Sequence, residues 1–334
     1  MSLPFLAGRK TRVLGLEEVR TLLSVEDAIE VQRAAFLALT RGRAVAAPNS
    51  WLRLPGERRA WLKLLAGYDA TGHGLGVKVL ARFPENPPGT NLGSLMLLFD
   101  DANGFPLAVM DGVYITAART GAGAALATEA LAPDAEKVGL IGTGVVAWYS
   151  LQSMMHSCPR LGSVTVFSRS EKRRREVVAR IARELDLEAR AVSTVDEAVA
   201  GVDVVVTATN SPGPILLPHH LSPGVHVNAM GIKTEIAPET TAACVVIGDG
   251  REETIGDGKF SVALAAGTVT EDDLGPDLGE VLDGNVPAAG EKPTMFDSSG
   301  VALQDVTCAR YVWERAEERG VGTLVEIVAG DVLS

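Results

Sequence analysis

Hydrophobic and polar positions divide the chain into two successive patterns. Residues 16–41 carry apolar side chains at helical spacing, and Ser24 followed by Asp27 predicts a capping box, so two consecutive helices are expected. Short extended segments separated by turn residues follow. They are predicted at 48–54, 60–65, 76–83, 93–100 and 106–110. This region therefore indicates a mostly antiparallel sheet.

From residue 116 the pattern changes to helices that alternate with buried strands. An alanine- and glycine-rich stretch at 116–130 predicts a small-faced helix. Apolar runs follow at 138–141, 164–167, 202–207, 225–230 and 244–247, with helix-like segments such as 171–185 between them. Alternation of this kind is typical of a doubly wound parallel sheet. After about residue 268 the sequence is loop-rich until a last predicted helix at 301–319.

We therefore predict an α/β protein with two domains, since 334 residues are many for one core. Residues 1–120 are expected to form an N-terminal α+β domain with a mostly antiparallel sheet. Residues 121–300 are expected to form a Rossmann doubly wound domain. The segment 301–334 is expected to return to the N-terminal domain and complete it.

The segment around Gly142-Thr143-Gly144 carries the clearest chemical signal. It follows an apolar run and opens a helix through Val145, Val146 and Ala147. A G-x-G-x-x-A turn between strand and helix lets the backbone approach a pyrophosphate at the helix N-terminus. Alone, the motif fits an ordinary glycine turn equally well, but its strand-helix-strand setting favours a dinucleotide.

The end of the second strand of this unit bears on the choice of dinucleotide. NAD-binding sheets usually place an acidic residue there for the ribose hydroxyls, whereas this chain has Ser168, Arg169 and Ser170. Lys172 and Arg173 follow closely. A solvated helix start would also explain Arg169, but the missing carboxylate favours NADP(H), with NAD(H) as the alternative.

Composition excludes several other classes of function. The net charge is -11 and the pI is about 5.0, which argues against nucleic acid as a partner. No apolar run is long enough to cross a bilayer and no signal sequence is evident, so no membrane partner and a cytoplasmic location are expected. Hydrophobic residues make up 46%, as in a globular protein.

Cysteine and histidine do not predict a metal site. Cys158, Cys244 and Cys308 are scattered without ligand spacing and are interpreted as structural thiols. His219 and His220 are adjacent, and neighbouring residues are expected to point in different directions.

Taken together and in order, several motifs resemble the ornithine cyclodeaminase and mu-crystallin family of NAD(P)-dependent proteins. The resemblance covers about residues 48–309. The motifs are Gly76-Val77-Lys78-Val79, the runs at 101–108 and 111–120, the turn at 142–144, Val227-Asn228-Ala229-Met230-Gly231, and the segments at 296–300 and 304–305. The resemblance implies an N-terminal sheet domain that forms a homodimer, a Rossmann domain, and an active site in the cleft between them.

The resemblance also implies residue roles. Lys78 matches the family's active-site lysine and is expected to transfer a proton at a C–N centre, although an edge-strand lysine would look the same. Arg119, an isolated cation among small residues, matches the arginine that holds the substrate carboxylate. Thr120 is expected beside the dinucleotide, and Asp305 either orients the nicotinamide-binding residues or caps the last helix. Further cofactor contacts are expected from Thr207, Ala208, Thr209, Asn228, Met230, Ser299 and Gly300.

Departures from the family concern the substrate. The Asp implicated in cyclodeaminase chemistry is absent from residues 231–235, where Glu235 is the nearest acid. A family arginine would fall near Ser50, and Arg53 is its nearest replacement, at an odd strand offset. Cyclodeaminases that use ornithine have a Glu two residues before the position of Leu65, where this chain has Lys63. That lysine favours an anionic substrate group, or it is a solvent-facing residue of an alternating strand.

The predicted function is NAD(P)-dependent oxidoreduction at the C–N bond of a small amino or imino acid, or of a keto acid with an amine. Two alternatives stand beside it. One is a redox-neutral cyclodeaminase that releases ammonia, and the other is a non-catalytic, NADPH-dependent ligand-binding protein.

Overall fold

The computed structural model describes residues 9–56, 60–87 and 90–327. Its strands are β1 (Thr11–Leu14), β2 (Ala44–Ala46), β3 (Ser50–Arg53), β4 (Trp61–Asp69), β5 (Gly74–Arg82), β6 (Leu92–Phe99), β7 (Pro106–Asp111), β8 (Lys137–Ile141), β9 (Ser163–Phe167), β10 (Glu188–Val192), β11 (Val204–Thr207), β12 (His226–Ala229), β13 (Val245–Gly248), β14 (Leu274–Asp277), β15 (Thr294–Asp297) and β16 (Thr323–Val325). The helices are α1 (Leu16–Leu22), α2 (Val25–Thr40), α3 (Val113–Leu131), α4 (Val145–Ser157), α5 (Glu171–Glu184), α6 (Val195–Val199), α7 (Pro238–Ala242), α8 (Arg251–Asp257), α9 (Lys259–Ala266), α10 (Leu278–Leu282) and α11 (Ala302–Arg319).

The first sheet has eight described strands in the order β16-β1-β7-β6-β5-β4-β2, with β3 also paired to β4. Its described pairings are antiparallel apart from that of β1 with β7. The predicted mostly antiparallel sheet is therefore confirmed. The sequence pattern does not reveal β1, β2 and β16, because three or four residues are too few for an alternation to show.

Helix α11 packs closely on β4 and β5 because both strands present glycines to it. A Cβ added at Gly67 would lie 3.3 Å from Ala302 Cβ, and one added at Gly74 would lie 3.3 Å from Val306 Cγ1. Larger side chains at these positions would push the helix away from the sheet. The close approach places the first turn of α11 over the centre of the sheet.

Helix α2 lies beside α11 and starts at the predicted capping box. The Asp27 backbone N–H donates to Ser24 Oγ at 3.0 Å, and the Ser24 N–H donates to the Asp27 carboxylate at 3.2 Å. Farther along, the buried Gln32 amide donates to the Gln304 carbonyl at 2.9 Å. This bond fixes α2 against the start of α11.

The second sheet is parallel in all its described pairings, in the order β10-β9-β8-β11-β12-β15-β13-β14. This confirms the predicted Rossmann sheet. The expectation of loop-rich sequence after residue 268 is wrong at one important place, since β15 is a fully buried strand inside the sheet. Four residues buried on both faces show no alternation, and Gly290 and Pro293 precede them in sequence, so the pattern resembles a loop.

Contacts along the chain divide the molecule into two units. The described residues up to Thr116, together with those from Val301 onward, form one unit, and Ala117–Gly300 form the other. Each unit has buried apolar clusters, one of which contains Ile141, Val205 and Val227 from the parallel sheet. Within the described part of the chain, every helix is too short or too polar to traverse a lipid bilayer.

Candidate active site

The carboxyl ends of the parallel strands bring the predicted dinucleotide residues to one edge of the second sheet. Gly142 follows β8, Ser168 follows β9, Ala208 follows β11 and Met230 follows β12. The strand order reverses direction between β8 and β11. In open α/β sheets, ligands bind at this topological switch point.

The glycine turn after β8 has the geometry of an anion cradle. Gly142 has φ of +129°, and a Cβ there would lie 2.4 Å from the Ala208 carbonyl oxygen. Gly144 is the N-cap of α4 and provides no side-chain cap, and a Cβ added there would meet no atom within 4 Å. The exposed Val145 and the half-buried Val146 form the first helical residues. The free N–H groups and open space at this helix start fit a pyrophosphate.

The segment after β9 is polar and lacks a carboxylate. Thr143 Oγ1 donates to Ser168 Oγ at 3.3 Å, which links the glycine turn to the end of β9. Ser170 caps α5, accepting the Arg173 N–H at 3.4 Å, and its own hydroxyl hydrogen remains available to donate. Arg169 between these serines is exposed. Two hydroxyls and a guanidinium thus lie together where an acidic residue would be expected for NAD.

Glu235 holds the neighbouring loops in place. Its fully buried carboxylate accepts from Thr207 Oγ1 at 2.7 Å, from the Thr209 N–H at 2.8 Å and from the Gly231 N–H at 2.8 Å. Burial raises the pKa of this carboxyl, and the hydrogen bonds from Thr209 and Thr207 oppose the rise. Because these bonds tie together the chain after β11 and after β12, Glu235 has a structural role.

Asn228 lies inside the second unit rather than at its edge. The side chain is fully buried, and its amide donates to Thr128 Oγ1 at 2.8 Å. Its oxygen lies 3.3 Å from His226 Nε2, in a ring whose pKa burial lowers to about 4. These contacts give the Asn228 side chain a packing role. Its expected contact with a nicotinamide stays a prediction, and the buried position of the side chain does not add support to it.

Asp249, which the sequence analysis missed, organises the end of β15. The buried carboxylate accepts from the Ser299 hydroxyl and, at 2.7 Å, from the Gly300 N–H. Gly300 has φ of +89°, and a Cβ there would lie 3.3 Å from Arg119 Nη2. Arg119 and the adjacent Thr120 are both buried. A carboxylate directly after an apolar strand is the signal that would have identified Asp249.

Lys78 lies in the middle of the first sheet. Leu65 faces it from β4 and Met96 faces it from β6, and the lysine is 1% exposed. Its ammonium donates to Asp305 Oδ2 at 2.6 Å and to Thr116 Oγ1 at 3.3 Å. The alternative of an exposed edge-strand lysine is therefore wrong.

Asp305 does not cap the last helix, which was one of the two roles expected for it, and its other expected role, orienting the nicotinamide-binding residues, stays a prediction. It lies in the first turn of α11, where the N-cap is Val301 and no side-chain cap bond is formed, and it pairs with Lys78 instead. The return of α11 to the first sheet thus supplies the lysine with a buried counter-charge.

Three of the four residues expected to contact substrate, Arg53, Lys63 and Leu65, share one face of the first sheet with Lys78. Lys63 and Leu65 alternate with exposed residues of β4 and are 6% and 2% exposed. The alternative of a solvent-facing Lys63 is therefore wrong. Arg53 faces Trp61 across the β3–β4 pair and so lies on the same face, whereas Ser50 faces Leu64 on the opposite one. As the odd offset predicts, Arg53 does not take the place of the family arginine at Ser50.

A potential metal-ligand cluster forms where adjacent histidines were expected to diverge. Asp196 Oδ1 lies 3.7 Å from His219 Nε2 and 3.4 Å from His220 Nε2, so that expectation is wrong. His220 Nδ1 accepts the Leu217 N–H at 3.0 Å, which places the hydrogen of the neutral ring on Nε2. A nitrogen that carries hydrogen does not ligate a metal, so this geometry favours a hydrogen bond to Asp196.

The three cysteines are all buried. Burial raises the pKa of Cys158 to about 11 and that of Cys244 to about 12. Neutral thiols of this kind are poor nucleophiles, in agreement with the predicted structural role.

Comparison with known proteins gives consistent matches along nearly the whole chain. The model of the ornithine cyclodeaminase/mu-crystallin family matches residues 9–320. The iminosuccinate reductase of Paracoccus denitrificans is 32% identical over 94% of this chain and 99% of its own. The Thermococcus litoralis Δ1-pyrroline-2-carboxylate reductase, solved with NADH and L-proline, is 27% identical with a TM-score of 0.89, covering 94% and 99% of the two chains. An archaeal alanine dehydrogenase dimer with bound NAD is 29% identical with a TM-score of 0.88, covering 96% and 100%.

Proposed function

The chain belongs to the ornithine cyclodeaminase/mu-crystallin family, and from this premise we propose that it is a nicotinamide-dependent oxidoreductase acting on the C–N bond of a small amino or imino acid. The observation that carries the proposal is the buried ion pair of Lys78 with Asp305. A fully buried ammonium in the middle of a sheet is costly, and proton transfer to a substrate explains its position. The relatives named above are reductases and a dehydrogenase of such compounds.

The reaction adds a hydride and a proton across C=N, or removes them from CH–NH. A bound nicotinamide supplies or accepts the hydride at the substrate carbon. Arg119 binds the substrate carboxylate through its planar guanidinium. Lys78 gives the proton to the imine nitrogen and becomes a neutral amine, while Asp305 keeps the ammonium in position before transfer and favours its reprotonation afterwards.

The preferred cofactor is NADP(H). This preference is supported by Ser168, Arg169 and Ser170, which follow β9. None of the three is a carboxylate that would repel the additional phosphate of NADP. Relatives were solved with NADH or NAD, so NAD(H) is the competing choice. Arg169→Ala tests it, because the variant is expected to lose about tenfold in kcat/KM with NADPH and little with NADH.

The active form is a homodimer joined through the outer face of the first sheet. Large apolar side chains on that face are exposed: Val45 by 64%, Leu52 by 62% and Leu95 by 51%. Exposed apolar patches of this kind mark interaction surfaces. Light scattering on Leu95→Lys is expected to give a monomer where the unmodified protein gives a dimer.

Spectrophotometry tests the activity itself. NADPH and NADH oxidation are followed with a panel of cyclic imines and with α-keto acids plus ammonium, for the unmodified protein and Lys78→Ala. We expect turnover in the first and none above background in the second.

Two other results would replace the proposal. Release of ammonia from a diamino acid with no net change in nicotinamide absorbance identifies a redox-neutral cyclodeaminase. A folded, dinucleotide-loaded protein that binds ligands but turns over none of the panel is a non-catalytic binding protein.

A further inference from the structure

The three residues that follow β15 form a turn that is held by hydrogen bonds along its whole length. We call residues 298–300 the β15 turn. The Ser298 N–H donates to the carbonyl of Ala229, the last residue of β12, at 3.2 Å. The Ser298 carbonyl accepts from the ammonium of Lys259, the first residue of α9, at 2.8 Å. The start of the turn is therefore fixed both to the parallel sheet and to a helix.

Asp249 holds the other two residues of the β15 turn. One of its carboxylate oxygens accepts from the Ser299 hydroxyl, and the other accepts from the Gly300 N–H at 2.7 Å. The carboxylate lies directly after β13 and is buried. Hydrogen bonds to a carboxylate are shorter and stronger than those to a neutral acceptor, so this side chain fixes the end of the turn firmly.

Arg119 on α3 lies against the last residue of the β15 turn. The three atoms nearest to a Cβ added at Gly300 all belong to the Arg119 guanidinium: Nη2 at 3.3 Å, Nη1 at 3.7 Å and Cζ at 3.9 Å. Gly300 also has φ of +89°, which residues with a side chain rarely adopt. The buried guanidinium thus occupies the space that a side chain at residue 300 would need. Its position therefore depends on where the turn lies.

A guanidinium that binds a carboxylate has to be placed accurately. The planar fork forms two parallel N–H···O bonds only when the two groups are aligned in one plane. An error of about 1 Å in the position of such a group can lower the rate of a reaction about 100-fold. Tight fixation of the β15 turn meets this demand, because the turn bounds the space in which the guanidinium of Arg119 lies.

We propose that Asp249 is a positioning residue for the substrate carboxylate. Its bonds to the Ser299 hydroxyl and the Gly300 N–H fix the β15 turn, and the turn in its place fixes the guanidinium of Arg119. This inference rests on the proposed function, in which Arg119 binds that carboxylate. Asp249 acts through Arg119 and takes no part in the transfer of the hydride or the proton.

The kinetic test is a double-variant cycle with two imines that differ by one carboxylate. Reduction of Δ1-pyrroline-2-carboxylate and of 1-pyrroline by saturating NADPH is measured for the unmodified protein, Asp249→Asn, Arg119→Gln and the combination of both. Asparagine keeps the size of the side chain but can accept only one of the two hydrogen bonds. Asp277→Asn is the matched control, because Asp277 ends the neighbouring strand β14 and accepts the N–H of Arg251 on α8 at 3.0 Å.

We expect Asp249→Asn to raise KM for Δ1-pyrroline-2-carboxylate about 10- to 100-fold and to change kcat by less than about threefold, because the carboxylate is held equally in the ground state and the transition state. For 1-pyrroline, kcat/KM should change by less than about threefold, as should both substrates in Asp277→Asn. Added to Arg119→Gln, Asp249→Asn should cost less than about a further threefold. Equal losses with the two imines, or losses that multiply in the combined variant, overturn the proposal.

Ser299→Ala covers the case in which Asp249→Asn does not fold. It removes one of the two bonds and leaves the Gly300 N–H on the carboxylate, so KM for Δ1-pyrroline-2-carboxylate should rise about two- to tenfold with kcat nearly unchanged. An unchanged KM in Ser299→Ala, or a loss confined to kcat, would contradict the positioning role.

Crystal structures of the unmodified protein and of Asp249→Asn separate this inference from the proposed function. In the variant we expect Gly300 and the guanidinium of Arg119 to move together by about 1 Å or more, whether or not an imine is reduced. This movement, without turnover of either imine by the unmodified protein, rejects only the proposed reaction. Turnover of Δ1-pyrroline-2-carboxylate with an unmoved guanidinium and an unchanged KM in Asp249→Asn rejects the positioning role alone.

Discussion

In each unit of the protein a buried lysine lies beside a buried aspartate, and these two pairs are built differently. In the first sheet Lys78 is 1% exposed and lies 2.6 Å from Asp305. In the second unit Lys259 is 2% exposed and lies 3.5 Å from Asp297. The same two residue types thus form a direct ion pair in one unit and a looser one in the other.

The difference lies in what else each partner binds. Lys259 donates its short bond, 2.8 Å, to the Ser298 carbonyl, and Asp297 accepts the Phe260 N–H at 2.8 Å. Lys259 therefore holds the backbone of the turn that leads to Ser299, and Asp297 holds the backbone at the start of α9. Lys78 instead bonds to the side chains of Asp305 and Thr116. A lysine held by side chains can exchange a proton with a ligand, whereas one that pins a backbone carbonyl supports a loop.

The strongest test of this contrast is Lys78→Met. We expect kcat for imine reduction to fall about 10²- to 10⁴-fold, because general acid–base catalysis typically contributes that much. The dissociation constant of the dinucleotide, measured by fluorescence, should change by less than about threefold. A variant that keeps more than a tenth of the activity would remove Lys78 from the chemistry.

Stability gives the control for the same variant. Removing one member of a buried ion pair costs about 3–5 kcal/mol, since the other charge is left alone. The double variant Lys78→Met with Asp305→Leu should therefore unfold at a higher temperature than Lys78→Met, although both are inactive. If the double variant unfolds at a lower temperature than Lys78→Met, the contributions of Lys78 and Asp305 to stability do not depend on their ion pair.

Lys259→Met should act on stability, with a dependence on pH. Burial raises the pKa of Asp297, and Lys259 opposes that rise. Without Lys259 the folded-state pKa lies still higher, so the folded variant holds its proton more tightly than the unfolded chain does. The loss of stability should therefore be small below the unfolded carboxyl pKa of about 4 and should grow to about 3 kcal/mol as pH rises to neutrality. Thermal unfolding between pH ~4.5 and ~8 measures this, and a deficit independent of pH would contradict it.

The two lysines also show what the sequence can and cannot predict. The fold followed from alternation, and Lys78 from its place between Val77 and Val79 together with the family resemblance. Its partner Asp305 lies 227 residues later, and only the return of α11 brings the two together. The strand β15 was missed because a buried parallel strand of four residues leaves no periodic signal, whereas β13 was predicted and only the carboxylate directly after it, Asp249, was overlooked.

In the glycine turn, Gly144 is expected to serve ligand binding and Gly142 is expected to serve stability. Gly144→Ala should keep the melting temperature, since no atom lies within 4 Å of the added Cβ, yet weaken dinucleotide binding about tenfold by filling the cradle. Gly142→Ala is the matched change, and it should lower stability because its Cβ meets the Ala208 carbonyl at 2.4 Å. Titration of NADPH and thermal unfolding of both variants test this, and equal effects of the two variants on both measurements would contradict it.

Thr116→Val is expected to have the smallest effect and probes the longer of the two hydrogen bonds described for Lys78. Valine keeps the shape but removes the hydroxyl that lies 3.3 Å from the ammonium, so the amine loses one of its positioning bonds while the Asp305 pair remains. We expect kcat to fall about two- to fivefold with KM nearly unchanged, because a long hydrogen bond contributes less than 1 kcal/mol. Thr307→Val on α11 is the control, since that hydroxyl bonds to the Leu303 carbonyl of its own helix. Equal losses of activity in the two variants would mean that the hydroxyl of Thr116 supports its own helix and does not position Lys78.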